Sequence, residues 1–345
     1  MLDYSANAGS AKARTMFGKR VKKEDYEALL RCKTVGEIAA YLKSHTNYRE
    51  ALVSIDENTI HRGHLESILQ QSVVHDISKL IRYENTGIIS EYILMKSAID
   101  QMIRFFIYFA SGKHDEYIFE LPPHMLKHSA VDFVALSKAK SREELLAVLR
   151  QSPYGRIAEQ HFPAGEEQID FAGLEAALYS YMYDRIFKLI DNKAPPASKK
   201  ELNYLFGLRV DLLNIVHIIR LKYFGVHSED KIRRYMIPYY HMLTKKIVKA
   251  LIECESAEEA VSFLQSVPVF KKLGKWDYLY IDQMVHKLVY GSAAFRIRKS
   301  SSPFVVMMSY IGLKEIECGN IISIIEGIRY QIPTKDIESL ITTGR

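Results

Sequence analysis

Cysteine is scarce. Cys32, Cys254 and Cys318 are the only three in 345 residues, an odd set with no CxxC spacing. That pattern excludes a disulfide framework and the paired-cysteine zinc modules, and leaves reduced thiols as the expectation. Long apolar runs are missing as well. None approaches the ~18 uncharged residues of a spanning helix, and the best stretch, Ile99 to Ala110, carries Asp100 and Arg104. The opening MLDYSANAGSAKAR is polar and has no apolar leader core. A soluble protein, or one peripheral to a membrane, is expected. Charge of one sign is not in large excess: the formal net charge is +6. That permits an anionic partner without requiring one.

Chemical signatures are also lacking. A P-loop needs GxxxxGK[ST], because successive amides must cradle phosphate oxygens. Gly18-Lys19 follows Gly9 at the wrong distance and precedes Arg20. There is no GxGxxG, HExxH or GxSxG. His124 and His128 have the spacing that places two imidazoles on one helix face, but no third ligand is placed. His61 and His64 read as polar residues at a helix start. Glu166-Glu167 falls in a loop and Glu143-Glu144 in a capping turn, so neither is an acid–base pair by position. The basic run Lys12, Arg14, Lys19, Arg20, Lys22, Lys23 lacks the interleaved aromatics of a single-strand platform. No catalytic residue, metal or cofactor is therefore assigned.

What is present is a globular composition, 48% hydrophobic and 26% charged, in a repeated pattern. Thr34-Val-Gly-Glu37, Ser141-Arg-Glu-Glu144 and Ser256-Ala-Glu-Glu259 each precede an apolar helix pattern. Each reads as a capping box, the glutamate reaching back to the cap's own amide. Thr34 to Ser141 and Glu37 to Glu144 are both 107 residues apart; Thr34 to Ser256 and Glu37 to Glu259 are both 222. Leu42, Leu149 and Leu264 keep these offsets, and an aromatic follows each helix at Tyr48, Tyr154 and Phe270. Next, Leu65 to Ile81 aligns without a gap on Leu174 to Ile190. Spacings of three and four predict helices throughout; PFVVMM, from Pro303 to Met308, is the one segment resembling a strand.

The most apolar stretches close each repeat. In LRVDLLNIVHIIRLK, Asp211-Leu-Leu-Asn214-Ile matches Glu317-Cys-Gly-Asn320-Ile, and a fainter copy has Asp100 and Ile103. A helix apolar on nearly every side belongs in a core. Residues three apart are neighbours on a helix, so Asp211 with Asn214, and Glu317 with Asn320, make a polar patch on an apolar rod. Two readings stand: a hydrogen-bonded helix crossing, or a socket wall presented to a partner. Tyr235, Tyr239 and Tyr240 with Met236 and Met242 suit a wet core or an interface. The expected architecture is all-α: helical units at 1–112, 113–226 and 227–345, separated near Pro122-Pro123 and Gly225. A second proline pair, Pro195-Pro196, falls between long helices. A unit of roughly 110 residues is longer than the ~20–47 of regular solenoids, which disfavours a generic scaffold binding protein or RNA through a concave face.

Tyr4-Ser-Ala-Asn-Ala, Ala11-Lys-Ala-Arg14, the Glu37 to Tyr48 helix, Asp211-Leu-Leu-Asn214-Ile with Arg220-Leu-Lys222, and Glu317-x-x-Asn320-Ile together form a pattern. It resembles the C subunit of the V-type (A/V-type) ATPases and ATP synthases, counterpart of the eukaryotic d subunit. The resemblance runs along nearly the whole chain. It implies a non-catalytic adaptor of three helical units about a pseudo-threefold axis, forming a funnel. It implies partners too: the central-shaft D and F subunits at the mouth and the membrane rotor ring at the other face. Cytoplasmic, peripheral placement follows, with no nucleic acid and no direct membrane insertion. On that reading Asp211, Asn214, Glu317 and Asn320 are the candidate partner-interface residues.

Overall fold

The computed structural model describes residues 4–112, 129–162, 169–271 and 277–343. The Pro122-Pro123 break, the histidine pair His124 and His128, and Glu166-Glu167 lie outside the described residues. The fold is all-α, with no strand among the described residues. In chain order the first helices are α1 (Tyr4–Gly18), α2 (Lys23–Leu29), α3 (Val35–His45), α4 (Arg49–Leu52), α5 (Arg62–Ile81) and α6 (Ile88–Ala110). Then come α7 (Phe133–Lys138), α8 (Arg142–Leu149), α9 (Gly155–His161), α10 (Phe171–Lys193) and α11 (Pro196–Tyr223). The rest are α12 (Glu229–Arg234), α13 (Lys245–Glu253), α14 (Ala257–Ser266), α15 (Pro268–Lys271), α16 (Ile281–Lys299), α17 (Pro303–Arg329) and α18 (Thr334–Leu340).

The three predicted caps form, with one change. Thr34, Ser141 and Ser256 accept the amides of Glu37, Glu144 and Glu259 at 3.1, 3.2 and 3.1 Å. The glutamates reach one residue further back than expected, to the amides of Lys33, Lys140 and Glu255 at 2.7, 2.8 and 2.7 Å. Each box thus closes on the residue before the cap, where the extended entry of the chain gives the amide no helical partner. The aromatics that follow, Tyr48, Tyr154 and Phe270, are all buried. The long helices α5 and α10 bury Leu65, Leu69, Val73, Ile77 and Leu174, Leu178, Met182, Ile186, the same four positions of the gapless alignment.

The chain divides into two compact units, Met1–Asn85 with Lys275–Arg345, and Thr86–Gly274. In the first, α17 is the core rod. It is buried on every side from Phe304 to Lys314 and on one face from there to Gly327, and it is packed by α1, α3, α5 and α16. Proline at its first position pre-sets the helical φ and lacks only an amide that has no helical partner. So PFVVMM is the opening of this rod, not a strand. In the second unit α11 plays the same part. It too begins at a proline, and it is packed by α10 and α14. By length and composition α11, not Ile99–Ala110, is the one described helix able to cross a membrane; 72% of its apolar window is buried inside the protein.

Packing does not follow the order of the sequence repeat. The helix after Ser256 lies on α11, the rod that precedes it, and the helix after Thr34 lies on α17, far downstream. In both units a capped helix covers a rod, but in one it comes from later in the chain and in the other from earlier.

Candidate functional site

The second rod holds the stretch that follows it. Asn214 is fully buried. Its amide group donates to the Ile237 carbonyl at 3.0 Å and accepts from the Ile237 amide at 2.8 Å. This reciprocal pair grips one residue of backbone as a neighbouring β-strand would. Asp211, also fully buried, accepts the amides of His241 at 3.0 Å, of Met242, and of Leu243 at 3.1 Å. Burial pushes its carboxyl above the usual carboxylate range, and the three amides work against that shift. The tyrosine and methionine cluster is the held segment. Met236 is buried, while Tyr239 donates to Asp184 at 2.7 Å and Tyr240 faces solvent.

The third rod makes the same grip 106 residues later. Asn320 donates to the Thr342 carbonyl at 2.7 Å and accepts from the Thr342 amide at 2.8 Å, and its amide also reaches the Tyr26 hydroxyl at 3.2 Å. Glu317 accepts the Val21 amide at 2.8 Å. Val21 and Leu243 are 222 residues apart, the offset that relates Thr34 to Ser256. The bond from Val21 to Glu317 is therefore the repeat equivalent of that from Leu243 to Asp211, and the partner segment comes from the other end of the chain.

One thing differs. The equivalents of His241 and Met242 are Lys19 and Arg20, whose amides close the end of α1 on Met16 and Phe17 at 3.0 and 3.2 Å. Glu317 thus has one backbone donor where Asp211 has three. Lys314, one helical turn before it, supplies the rest: its ammonium lies 2.6 Å from Glu317, with both side chains under a tenth exposed. The same ammonium sits 3.9 Å above the Tyr48 ring centroid. The corresponding residue of the second rod is Leu208.

The four expected interface residues are therefore placed inward. Asp211 and Asn214 are 0% exposed and Glu317 and Asn320 6%. Their polar contacts go to backbone, Tyr26 and Lys314, and the backbone they hold is non-helical, at Val21, Ile237, His241 to Leu243 and Thr342. A buried polar group must find such partners, since leaving it unmet costs about 1–3 kcal/mol. Sequence reasoning missed Lys314, although a lone cation three residues before an acid on an apolar rod was visible. In the fainter copy, the first rod, α6, sequence matching set Asp100 at the acid position and Ile103 at that of the amide. Asp100 takes the Tyr179 hydroxyl at 2.8 Å and Lys96 at 2.9 Å, with its side chain 41% exposed. The better guide is the left-handed residue ending each rod: Gly112 (φ 71), Gly225 (φ 74) and Gln331 (φ 54). Asn214 and Asn320 each lie 11 residues before theirs, and Gln101 lies 11 before Gly112.

Elsewhere the candidates have ordinary roles. His61 Nδ1 accepts the His64 amide at 3.2 Å as the cap of α5. Arg14 donates to the carbonyls of Ile297 and Ser300 at 2.9 and 2.7 Å, tying α1 to the end of α16. Among the described residues no three His, Cys, Asp or Glu side chains gather as a metal set.

The model of the ATP synthase (C/AC39) subunit family matches residues 10–340. The C subunit of the A-type ATP synthase of Methanosphaera stadtmanae is 25% identical over 267 residues, 76% of this chain and 66% of the relative. That of Methanocaldococcus jannaschii is 31% identical over 138 residues, 40% of this chain and 33% of the relative. That of Archaeoglobus fulgidus is 24% identical over 338 residues, 95% of this chain and 93% of the relative. The aligned part thus spans just under two thirds of the first of these, one third of the second and nearly all of the third. The chain belongs to the ATP synthase (C/AC39) subunit family, whose members are non-catalytic subunits of the rotary ATPase.

Proposed function

We propose that this chain is the central-rotor adaptor of an A/V-type ATPase. It links the D and F subunits of the central shaft to the membrane rotor ring and passes torque between ATP turnover and ion movement. The observation that carries the reading is the family match over residues 10–340. The architecture suits the task. A torque carrier must be stiff, and here two core rods each grip a distant backbone segment through buried, reciprocal hydrogen bonds. It needs no group tuned to chemistry. The three helical units at 1–112, 113–226 and 227–345, the pseudo-threefold funnel and the peripheral cytoplasmic position belong to this proposal. Within it, Asp211, Asn214, Glu317 and Asn320 serve partner binding indirectly, by holding the segments they grip.

The test is co-purification. Tagged protein is incubated with the shaft pair and, separately, with detergent-solubilised rotor ring. Stable complexes with both are expected. Binding to neither, or substrate turnover by the chain alone, refutes the reading. Salt-sensitive binding to RNA in place of both favours the scaffold alternative.

A further inference from the structure

One surface of the first unit takes no part in the grip on Val21 and Thr342. The end of α1 and the end of α16 lie side by side. Arg14 bonds the Ile297 and Ser300 carbonyls, and the guanidiniums of Arg20 and Arg298 both lie against the Phe17 ring, at 4.2 and 5.5 Å from its centroid. Around this junction Lys19, Lys22, Arg298 and Lys299 are exposed, and none of them enters an ion pair among the described residues. Of the acids nearest in sequence, Glu24 is exposed, Asp25 accepts the Lys22 amide and the Tyr41 hydroxyl, and Glu27 lies 3.7 Å from Lys23. Packed like charges repel, so a concentration of cations held together by apolar and carbonyl contacts is stabilised when an anion meets it. Phe295 stands 62% exposed on α16, one turn before Arg298 and Lys299 and on their face of the helix.

We infer that this junction of α1 and α16 is an adsorption surface for anionic phospholipid: Lys19, Lys22, Arg298 and Lys299 meet the headgroup phosphates, and Phe295 enters the headgroup layer. The chemistry favours lipid over the other polyanions. Phe17 is 7% exposed and offers no stacking face, so a single-stranded nucleic acid finds charge without a platform. A protein partner is anchored by a cluster of buried aromatics ringed by polar groups, whereas here one aromatic stands among cations. That is the pattern of a basic surface element lying on an anionic membrane. The inference rests on the adaptor reading for its setting beside a membrane, and it adds a contact distinct from shaft and ring.

Flotation with vesicles tests it. The full chain is mixed with vesicles rich in phosphatidylglycerol or made of phosphatidylcholine alone, across a salt series. Binding to the phosphatidylglycerol vesicles that weakens steeply with salt is expected, with none to phosphatidylcholine. Lys19→Glu, Lys22→Glu, Arg298→Glu and Lys299→Glu together should lower the affinity by about a hundredfold or more, from roughly a fivefold loss per charge near the surface. Phe295→Ser should lower it several-fold while keeping the salt slope. All five residues are exposed, and circular dichroism and melting verify the fold; if the fourfold variant does not fold, the wild-type salt series and Phe295→Ser decide alone. Equal binding to both vesicles, retention by the charge-reversed variant, or tighter binding to an RNA oligonucleotide than to the anionic vesicles overturns the inference. Co-purification with shaft and ring is read separately, so the two proposals fail independently.

Discussion

The sockets on α11 and α17 solve one problem with different donors. Each rod carries an acid three residues before an asparagine, and each asparagine grips a residue 22 or 23 positions further on. On α11 the acid is met by three consecutive amides of a segment that follows directly. On α17 the closing segment is the stretch at Val21, and the two amides before it are committed to the end of α1. A buried carboxylate left with one donor is costly. The rod therefore carries a lysine where its counterpart has a leucine. The lesson is that a repeat conserves the satisfaction of a group and lets the satisfying atoms change.

This comparison can be broken from either side. The largest effect is expected for Lys314→Leu, which gives the third rod the residue of the second. Glu317 keeps one amide, and the unit should lose about 3–5 kcal/mol, the range for removing one partner of a buried pair. Denaturant unfolding measures the loss, and hydrogen exchange at the Val21 and Thr342 amides should localise it. Adding Glu317→Gln should recover part of the loss; an unchanged midpoint in the single variant would show that the ion pair is not needed. Next comes Asp211→Ala, which strands three amides and should cost about 3 kcal/mol, read as lost exchange protection at His241 to Leu243. Smaller is Gln331→Gly. Gln331 ends α17 at φ 54, where Gly225 ends α11, and both rods close with the same pair of bonds, Gln331 to Ile328 and Ile332 to Gly327 in one, Gly225 to Lys222 and Val226 to Leu221 in the other. Removing the side chain from a left-handed position should stabilise by up to about 1 kcal/mol, while Gly225→Ala should do the reverse.

The smallest effect concerns pH. Burial holds the His217 imidazole below its ordinary value, with Arg220 adding to the shift and Glu175 and the Tyr235 carbonyl opposing it. The folded unit therefore resists a proton that the unfolded chain accepts. The stability this represents is present above the ordinary histidine value of about 6.5. It is lost as pH falls below that value and through the depressed one. The unfolding midpoint should drop over that window, and His217→Gln should flatten the drop.

Much of the fold was legible. Helix starts are local events, set by a hydroxyl and its neighbours, so the three caps at Thr34, Ser141 and Ser256 could be read with their offsets. The recurrence of an aromatic at Tyr48, Tyr154 and Phe270, and the helical spacing of α5 and α10, were likewise legible in the pattern. What periodicity does not encode is which element covers which rod. The α3 helix on α17 and the α14 helix on α11 look alike in sequence, yet one reaches far forward along the chain and the other a short way back. Asp211, Asn214, Glu317 and Asn320 were recognised as special because polar groups on an apolar rod must be satisfied. What they would meet was not legible, since the same argument fits a partner's atoms as well as the chain's own backbone, and in this chain they meet the latter. In the first rod, matching by residue type picks out Asp100, whereas spacing from the closing left-handed glycine picks out Gln101.

The grip of Glu317 on Val21 also sets an order of birth. The second unit, Thr86–Gly274, is one continuous stretch and can fold as soon as it leaves the ribosome. Helices α1 to α4 emerge earlier, with Leu29, Ile38 and Tyr48 still uncovered, and must wait for α17. At ~5–20 residues per second the delay between Leu52 and Arg329 is about 15 to 55 s. The nascent amino-terminal quarter is thus the part of this protein with most need of a chaperone's hold.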